Sequence, residues 1–314
     1  MKFLLIPIIC LLAACKPAAD KEQESPASSS GKLQILTTFL PVHAHAAAIA
    51  GERAGVESLI AGDVGAHDFS PRPADMKRIA QADVLVFNGA GMEPWLDALV
   101  KQAAKNDLKK VDLSAGITLL KSSTSLDGDG HQHALDNHQG CDQGEHNPHF
   151  WLDPILAVQQ VETLRDALIA ADPQGAAIYQ KNAADYITKL RSLDADFQSI
   201  IAPLPSKKLV TFHDAFPYLA KRYGLEMVGY LSRFPERDPA PAELAALIEG
   251  IRERQVKVVF TEAGYEPALL QRVAKDTGAK VSTLDTLEVG ELGPDAYLSG
   301  MKNNLEALRA AFAR

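Results

Sequence analysis

Histidines and carboxylates are the residue types in this chain whose spacing could do chemistry, and they crowd around one stretch. Five of the nine histidines lie between His131 and His149. His149 stands in Asn147-Pro148-His149-Phe150-Trp151-Leu152-Asp153-Pro154, beside an aromatic pair and an Asp-Pro that opens a helix. Packing should therefore fix its ring. His131, His133, His138 and His146 sit instead among Gly, Asp, Asn and Gln, where nothing would hold them. Neutral imidazole is a common ligand for zinc and similar ions. His149 thus reads as part of a built metal site. The run from about residue 121 to 146 reads as a flexible loop that attracts metal weakly.

Ligands of parallel α/β sheets collect at the carboxyl ends of strands. Three further residues meet that condition. His67 lies in the loop after an expected strand at residues 57–60, His213 directly follows one at 208–212, and Asp285 follows one at 280–284. Three nitrogens and one carboxylate oxygen suit a tetrahedral zinc. Any one of these residues alone is an ordinary polar loop residue; the set gains meaning only if all four gather at one place. Glu262 ends another expected strand. It could orient a ligating histidine or serve as an alternative fourth ligand. His43 and His45, two apart at a helix start, point to different faces and read as surface residues. Cys141 has no zinc-finger partner spacing.

The elements that must position these residues alternate. Expected strands at 33–39, 57–60, 83–88 and 110–113 interleave with helices at 44–50, from 73 and from 94. The same grammar returns after residue 203, with strands at 208–212, 225–230, 256–261 and 280–284 and helices at 215–222, 241–254, 267–277 and 297–312. This predicts an α/β fold with two parallel-sheet domains, at 33–172 and 203–314. Between them, Tyr179, Ala183, Tyr186, Leu190, Leu193, Phe197 and Ile200 recur at spacings of 4 and 3, one apolar stripe on a helix. That helix, within 173–202, is a stiff rod joining the domains across a cleft.

The first fifteen residues hold one Lys and a short apolar run ending Leu12-Ala13-Ala14-Cys15. The run is too short to span a bilayer and reads as an export signal. Its end resembles a bacterial lipobox with Cys15 as the lipidated residue, which would anchor the chain to a bilayer. Residues 16–32 carry no large apolar side chain and read as a disordered tether. The net charge is −8. That argues against nucleic acid as a partner and is compatible with a cation ligand.

The joint pattern of Gly65-Ala66-His67-Asp68-Phe69-Ser70-Pro71-Arg72-Pro73, the stretch around His149, His213-Asp214-Ala215-Phe216-Pro217-Tyr218, Thr261-Glu262-Ala263-Gly264, and Leu284-Asp285 before Gly290 resembles the zinc/manganese-type solute-binding proteins of metal ABC importers. The resemblance covers residues 33–314. It implies metal ligands at His67, His149, His213 and Asp285, with His in the third position marking zinc-type members and Glu often marking manganese-type ones. It also implies a monomeric, extracytoplasmic protein that binds Zn²⁺ and hands it to an ABC permease. The alternatives it leaves are a manganese-binding member and a surface adhesin. A zinc hydrolase is the enzyme alternative. It would need an open metal position and a nearby base, and the chain has no Gly-x-Ser-x-Gly nucleophile motif. Three histidines must be neutral to bind, so affinity should fall steeply as pH drops through about 6.5.

Overall fold

Short apolar runs alternating with amphipathic helices build the same arrangement twice. The computed structural model describes residues 31–122, 146–232, 239–263 and 268–313. The first lobe contains β1 (Leu33–Thr37), α1 (Leu40–Ala50), β2 (Ala54–Ser58), α2 (Pro73–Gln81), β3 (Val84–Phe87), α3 (Leu96–Ala103) and β4 (Lys109–Asp112). Two helices follow, α4 (Pro154–Ala171) and α5 (Ala176–Ile201). The second lobe contains β5 (Lys208–Thr211), α6 (Pro217–Tyr223), β6 (Glu226–Tyr230), α7 (Pro241–Glu253), β7 (Val258–Glu262), α8 (Ala268–Thr277), β8 (Lys280–Leu284) and α9 (Ala296–Phe312). Both sheets are parallel, with orders β2-β1-β3-β4 and β6-β5-β7-β8. Each order reverses at one point, between β1 and β3 and between β5 and β7, the place where such sheets open a crevice.

Strand β2 begins and ends earlier than expected. Leu59 and Ile60, read as strand, are buried beyond its end, where their N–H groups donate to the Thr37 and Thr38 carbonyls. The chain bends there and enters the loop that carries His67.

The expected rod is present. Its 26 residues in α5 span about 39 Å at the standard rise. Tyr179, Ala183, Tyr186, Leu190, Leu193 and Phe197 are buried as the stripe predicts, and the last buried position is Ile201 rather than Ile200. A step of 4 after Phe197 keeps the stripe on one face. Asp172 does not cap α5. Pro173–Gly175 form a 3-10 turn instead, and the Asp172 carboxylate pairs with Arg53 and accepts from Tyr179 Oη. Helix α5 packs on α1, α4, α6 and α9. One continuous apolar core runs from Val84 and Val86 in the first sheet to Val258 and Phe260 in the second. Residues 32–314 are one compact unit.

Helix α1 overturns the surface reading of His43 and His45. It is enclosed by β1, β2, α4, α5 and α9, so nearly every face is interior. His43 Nδ1 lies 3.3 Å from Thr37 Oγ1. His45 is fully buried, edge-on to the rings of Tyr186 and Tyr297, and burial pushes it down to about 3 although Gln160 pulls the other way. Among the described residues no helix is long and apolar enough to cross a membrane.

Candidate metal centre

The segment carrying His149 runs between the lobes and is pinned from both. Asn147 Nδ2 donates to the Asp214 carbonyl at 2.6 Å. The Tyr218 hydroxyl donates to the Asn147 carbonyl at 2.7 Å and accepts from Leu120 N at 2.9 Å. Trp151 Nε1 donates to the Thr286 carbonyl, and Tyr297 Oη donates to the Trp151 carbonyl. Arg222 holds the Asp153 carboxylate, whose Oδ1 also caps the first N–H groups of α4. From the first lobe, Asn88 Nδ2 donates to the Pro148 carbonyl at 3.0 Å. The packing expected for His149 is therefore built from buried Phe150, Trp151 and Leu152 and from these bonds.

Four side chains converge in the crevice. One donor atom each from His67, His149, His213 and Glu288 lies within 4.8 Å of all the others. His149 Nε2 is the hub, 3.3 Å from His67 Nε2 and 3.2 Å from His213 Nε2. Glu288 Oε1 stands 3.8 Å from His67 Nε2 and 3.9 Å from His149 Nε2. A tetrahedral zinc with bonds of about 2.05 Å separates its ligand atoms by about 3.3 Å. The two imidazole spacings from His149 match that edge, and the carboxylate stands slightly back.

The sequence picked three of these four. Asp285 lies outside the group. Its Oδ1 accepts the Leu287 N–H at 2.8 Å, and its backbone is tied to α9 by two bonds with Asn304. That Asx-type turn reverses the chain through Leu287, whose φ is 63°, and presents Glu288 to the histidines. The carboxylate nearest the strand end thus shapes the turn, and the one three residues on reaches the site. The only sequence signal for Glu288 was Asp285 itself, a residue type that starts such turns.

Glu262, the last residue of β7, does not join the group but faces its back. His213 Nδ1 donates to Glu262 Oε2 in a very short contact, and His213 N donates to Oε1 at 2.9 Å. Asn147 plays the matching part for His149, with Oδ1 accepting both the backbone N–H and Nδ1 at 3.0 Å. Because Asn147 Nδ2 faces the Asp214 carbonyl and Oδ2, its amide orientation is settled. Both rings then carry their proton on Nδ1 and turn an Nε2 lone pair inward. Two lone pairs 3.2 Å apart repel unless a metal ion or a proton sits between them.

Burial and the neighbouring His213 push His67 down to about 3, and burial with both neighbouring histidines pushes His149 well below its ordinary value. Burial pulls His213 down as well, but the Glu262 carboxylate outweighs it and the net shift is upward. Asp285 is raised by burial, in part offset by the Leu287 N–H.

His146 is not among loose residues. It forms an antiparallel bridge with Lys121, and Asn147 N donates to the Leu120 carbonyl, so the two ends of the intervening segment meet. His131, His133, His138, Cys141 and the leader with Cys15 lie outside the described residues.

Residues 35–311 match the protein family described as "ZnuA: Zinc-uptake complex component A periplasmic". The zinc-binding lipoprotein AdcA of Streptococcus pneumoniae is 33% identical over 98% of this chain, which spans 60% of AdcA. The zinc uptake protein ZnuA of Bacillus subtilis is 32% identical over 98% of this chain and 95% of its own length. The Zn(II)-bound ZnuA-like domain of the pneumococcal AdcA superposes with a TM-score of 0.73 at 32% identity, covering 90% of this chain and all of that domain. FpvC of Pseudomonas aeruginosa in complex with Mn²⁺ superposes with a TM-score of 0.79 at 27% identity over 90% of this chain and 98% of its own. The family is one of solute-binding proteins, not of enzymes. The chain belongs to the family of periplasmic zinc-uptake components, component A.

Proposed function

We propose that the chain captures Zn²⁺ outside the cytoplasm through His67, His149, His213 and Glu288 and releases it to the permease of an ABC importer. The observation that carries the reading is the inward convergence of three imidazoles, with His149 Nε2 at the edge length of a zinc tetrahedron from the Nε2 atoms of His67 and His213. Mn²⁺, the ion in the FpvC structure, is the second reading. It prefers oxygen-rich six-coordinate shells, and this group offers a single carboxylate. Bonds across the crevice, among them Gly290 N to the Gly62 carbonyl at 2.7 Å, resist the widening that extra waters would require. A methyl group at Gly62 would stand 2.1 Å from the Gly290 carbonyl oxygen, so the loops behind His67 and Glu288 meet backbone to backbone.

Elemental analysis of the purified full chain should give one tightly held zinc, retained against a weak chelator. A chain that takes up no zinc, or holds zinc and manganese equally, defeats the reading. The proposal includes a membrane anchor at Cys15, for which Cys15→Ala should move the protein from the membrane to the soluble fraction. It also includes weaker zinc binding through His131, His133, His138 and His146. Deleting the loop from about residue 121 to 146 should remove the weak sites and keep the tight one.

A further inference from the structure

Among the described residues, a buried carboxylate near the crevice is left unused by the metal-binding reading. Glu93 is buried behind the crevice, between the ends of β1 and β3. Its Oε1 accepts from Thr38 Oγ1 at 2.7 Å and Asn88 N at 2.9 Å, and its Oε2 accepts from Gly89 N at 3.1 Å. Burying a carboxylate at this depth is expensive, and burial pushes it up to about 7 against the three donors that pull it down. Strongly perturbed groups of this kind gather at functional sites.

The loop that Glu93 holds takes an unusual path. Gly89, Ala90 and Gly91 have φ of 81°, 53° and 82°, three left-handed residues in succession. Such a run does not persist without an anchor, least of all at an alanine. A methyl at Gly89 would lie 2.0 Å from Asp112 Oδ1, so the turn is also closely packed. Its first residue, Asn88, is completely buried and donates to the Pro148 carbonyl, next to His149. The other bonds to Asn147 and its carbonyl come from Leu120, Asp214 and Tyr218.

We propose that Glu93 is a positioning residue of the metal centre: it fixes the Asn88 loop, and Asn88 holds the Pro148 carbonyl so that His149 keeps its place as the central donor. The inference rests on the metal-site reading above. Outer partners of metal ligands commonly contribute 10- to 100-fold to affinity. Without Glu93 or Asn88, the Pro148 carbonyl beside His149 would lose its bond to the first lobe, and the distance from His149 to His67 would be set less firmly.

The test uses the full chain with Glu93→Gln, Asn88→Ala and Leu99→Ala. Leu99 is a core residue of the α2–α3 layer in the first lobe, outside the metal centre, and serves as a destabilised control. Zinc affinity is measured by chelator competition, and the visible spectrum is recorded at saturating Co²⁺. Glu93→Gln and Asn88→Ala should each weaken zinc about tenfold and dim the intense bands of tetrahedral cobalt, with the double variant little worse than either single one. Leu99→Ala should lower the melting temperature and leave affinity and spectrum unchanged. Wild-type affinity and spectrum in the first two variants, or an equal loss in Leu99→Ala, would overturn the proposal. Should Glu93→Gln fail to fold, Asn88→Ala decides alone. A wild-type chain that binds neither metal would defeat the metal-site reading and this inference with it. Binding by the wild type with unchanged variants defeats only this one.

Discussion

His149 and His213 bring the same imidazole nitrogen to nearly the same point, 3.2 Å apart, but the protein holds their far sides with different chemistry. Behind His149 stands the neutral amide oxygen of Asn147. Behind His213 stands the carboxylate of Glu262. The amide fixes the tautomer without adding charge, so burial dominates and His149 is pushed down. The carboxylate stabilises the imidazolium more than burial opposes it, so His213 is pushed up. One proton can therefore occupy the metal-free centre, on His213 and donated to His149. Zinc replaces that proton rather than entering an empty cage.

The contrast ends if both histidines serve only as nitrogen donors and one is made an oxygen donor. The unmodified protein should prefer zinc over manganese by at least about 100-fold, or about 2.7 kcal/mol. His213→Glu should narrow that gap, because it trades the charge-supported nitrogen for oxygen. Competition titration of both proteins measures it, and equal binding of the two ions by the unmodified chain would sink the zinc assignment.

Removing the charge behind His213 should cost less than removing the ring. In Glu262→Gln the side chain still accepts from Nδ1, but the imidazolium loses its partner and the nitrogen becomes a weaker base. Zinc affinity should fall about 10- to 100-fold. The converse change, Asn147→Asp, should raise the basicity of His149 and bring a second proton into competition below neutral pH. Chelator competition at pH 8 and pH 6 separates the two variants, and identical profiles would mean that the partners do not tune the rings.

The pH dependence follows with its sign. His67 and His149 have lowered values, so both stay neutral well below 6.5 and do not compete with metal there. His213 is raised above 6.5, so it is protonated in the metal-free chain below that raised value. Affinity should therefore fall about tenfold per pH unit between 6.5 and 5, one proton and not the three that counting histidines suggests. Stability of the metal-free chain follows the same logic. The contribution of His67 is present above 6.5 and lost as pH falls, while that of His213 is present below 6.5 and lost as pH rises through its raised value. A zinc titration series in non-coordinating buffers gives the slope, and a slope near three would refute the division between the rings.

Much of this centre was legible in the sequence. His213 directly follows an apolar run, His67 follows another through a short loop with two glycines, and His149 has fixed aromatic neighbours. Strand ends and packing neighbours are local signals, so single positions could be named. The two partners that tune the rings were less visible. Glu262 showed itself as a strand end, but Asn147 reads as an ordinary loop residue until its amide is seen between His149 and Asp214. His43 and His45 were misplaced because helix periodicity assumes one exposed face, and α1 has almost none. That is a property of what surrounds the helix and is not written in the helix. Glu288 was missed for a related reason: which of two carboxylates, three residues apart, faces the crevice depends on a turn closed by Asn304 from α9.

That last distinction gives the smallest expected effect. Asp285 contributes an acceptor for the Leu287 N–H and no atom to the cluster. Asn at this position keeps an acceptor oxygen and can form the same Asx-type turn. Asp285→Asn should therefore change zinc affinity less than about threefold, about 0.7 kcal/mol. Glu288→Gln removes the anionic donor that balances the ion's charge while leaving the turn intact, and should weaken zinc far more. Parallel titration of the two variants under one chelator checks the assignment. A large loss in Asp285→Asn with little change in Glu288→Gln would return the fourth place to the strand-end carboxylate, and the turn would then have to open to let it reach the histidines.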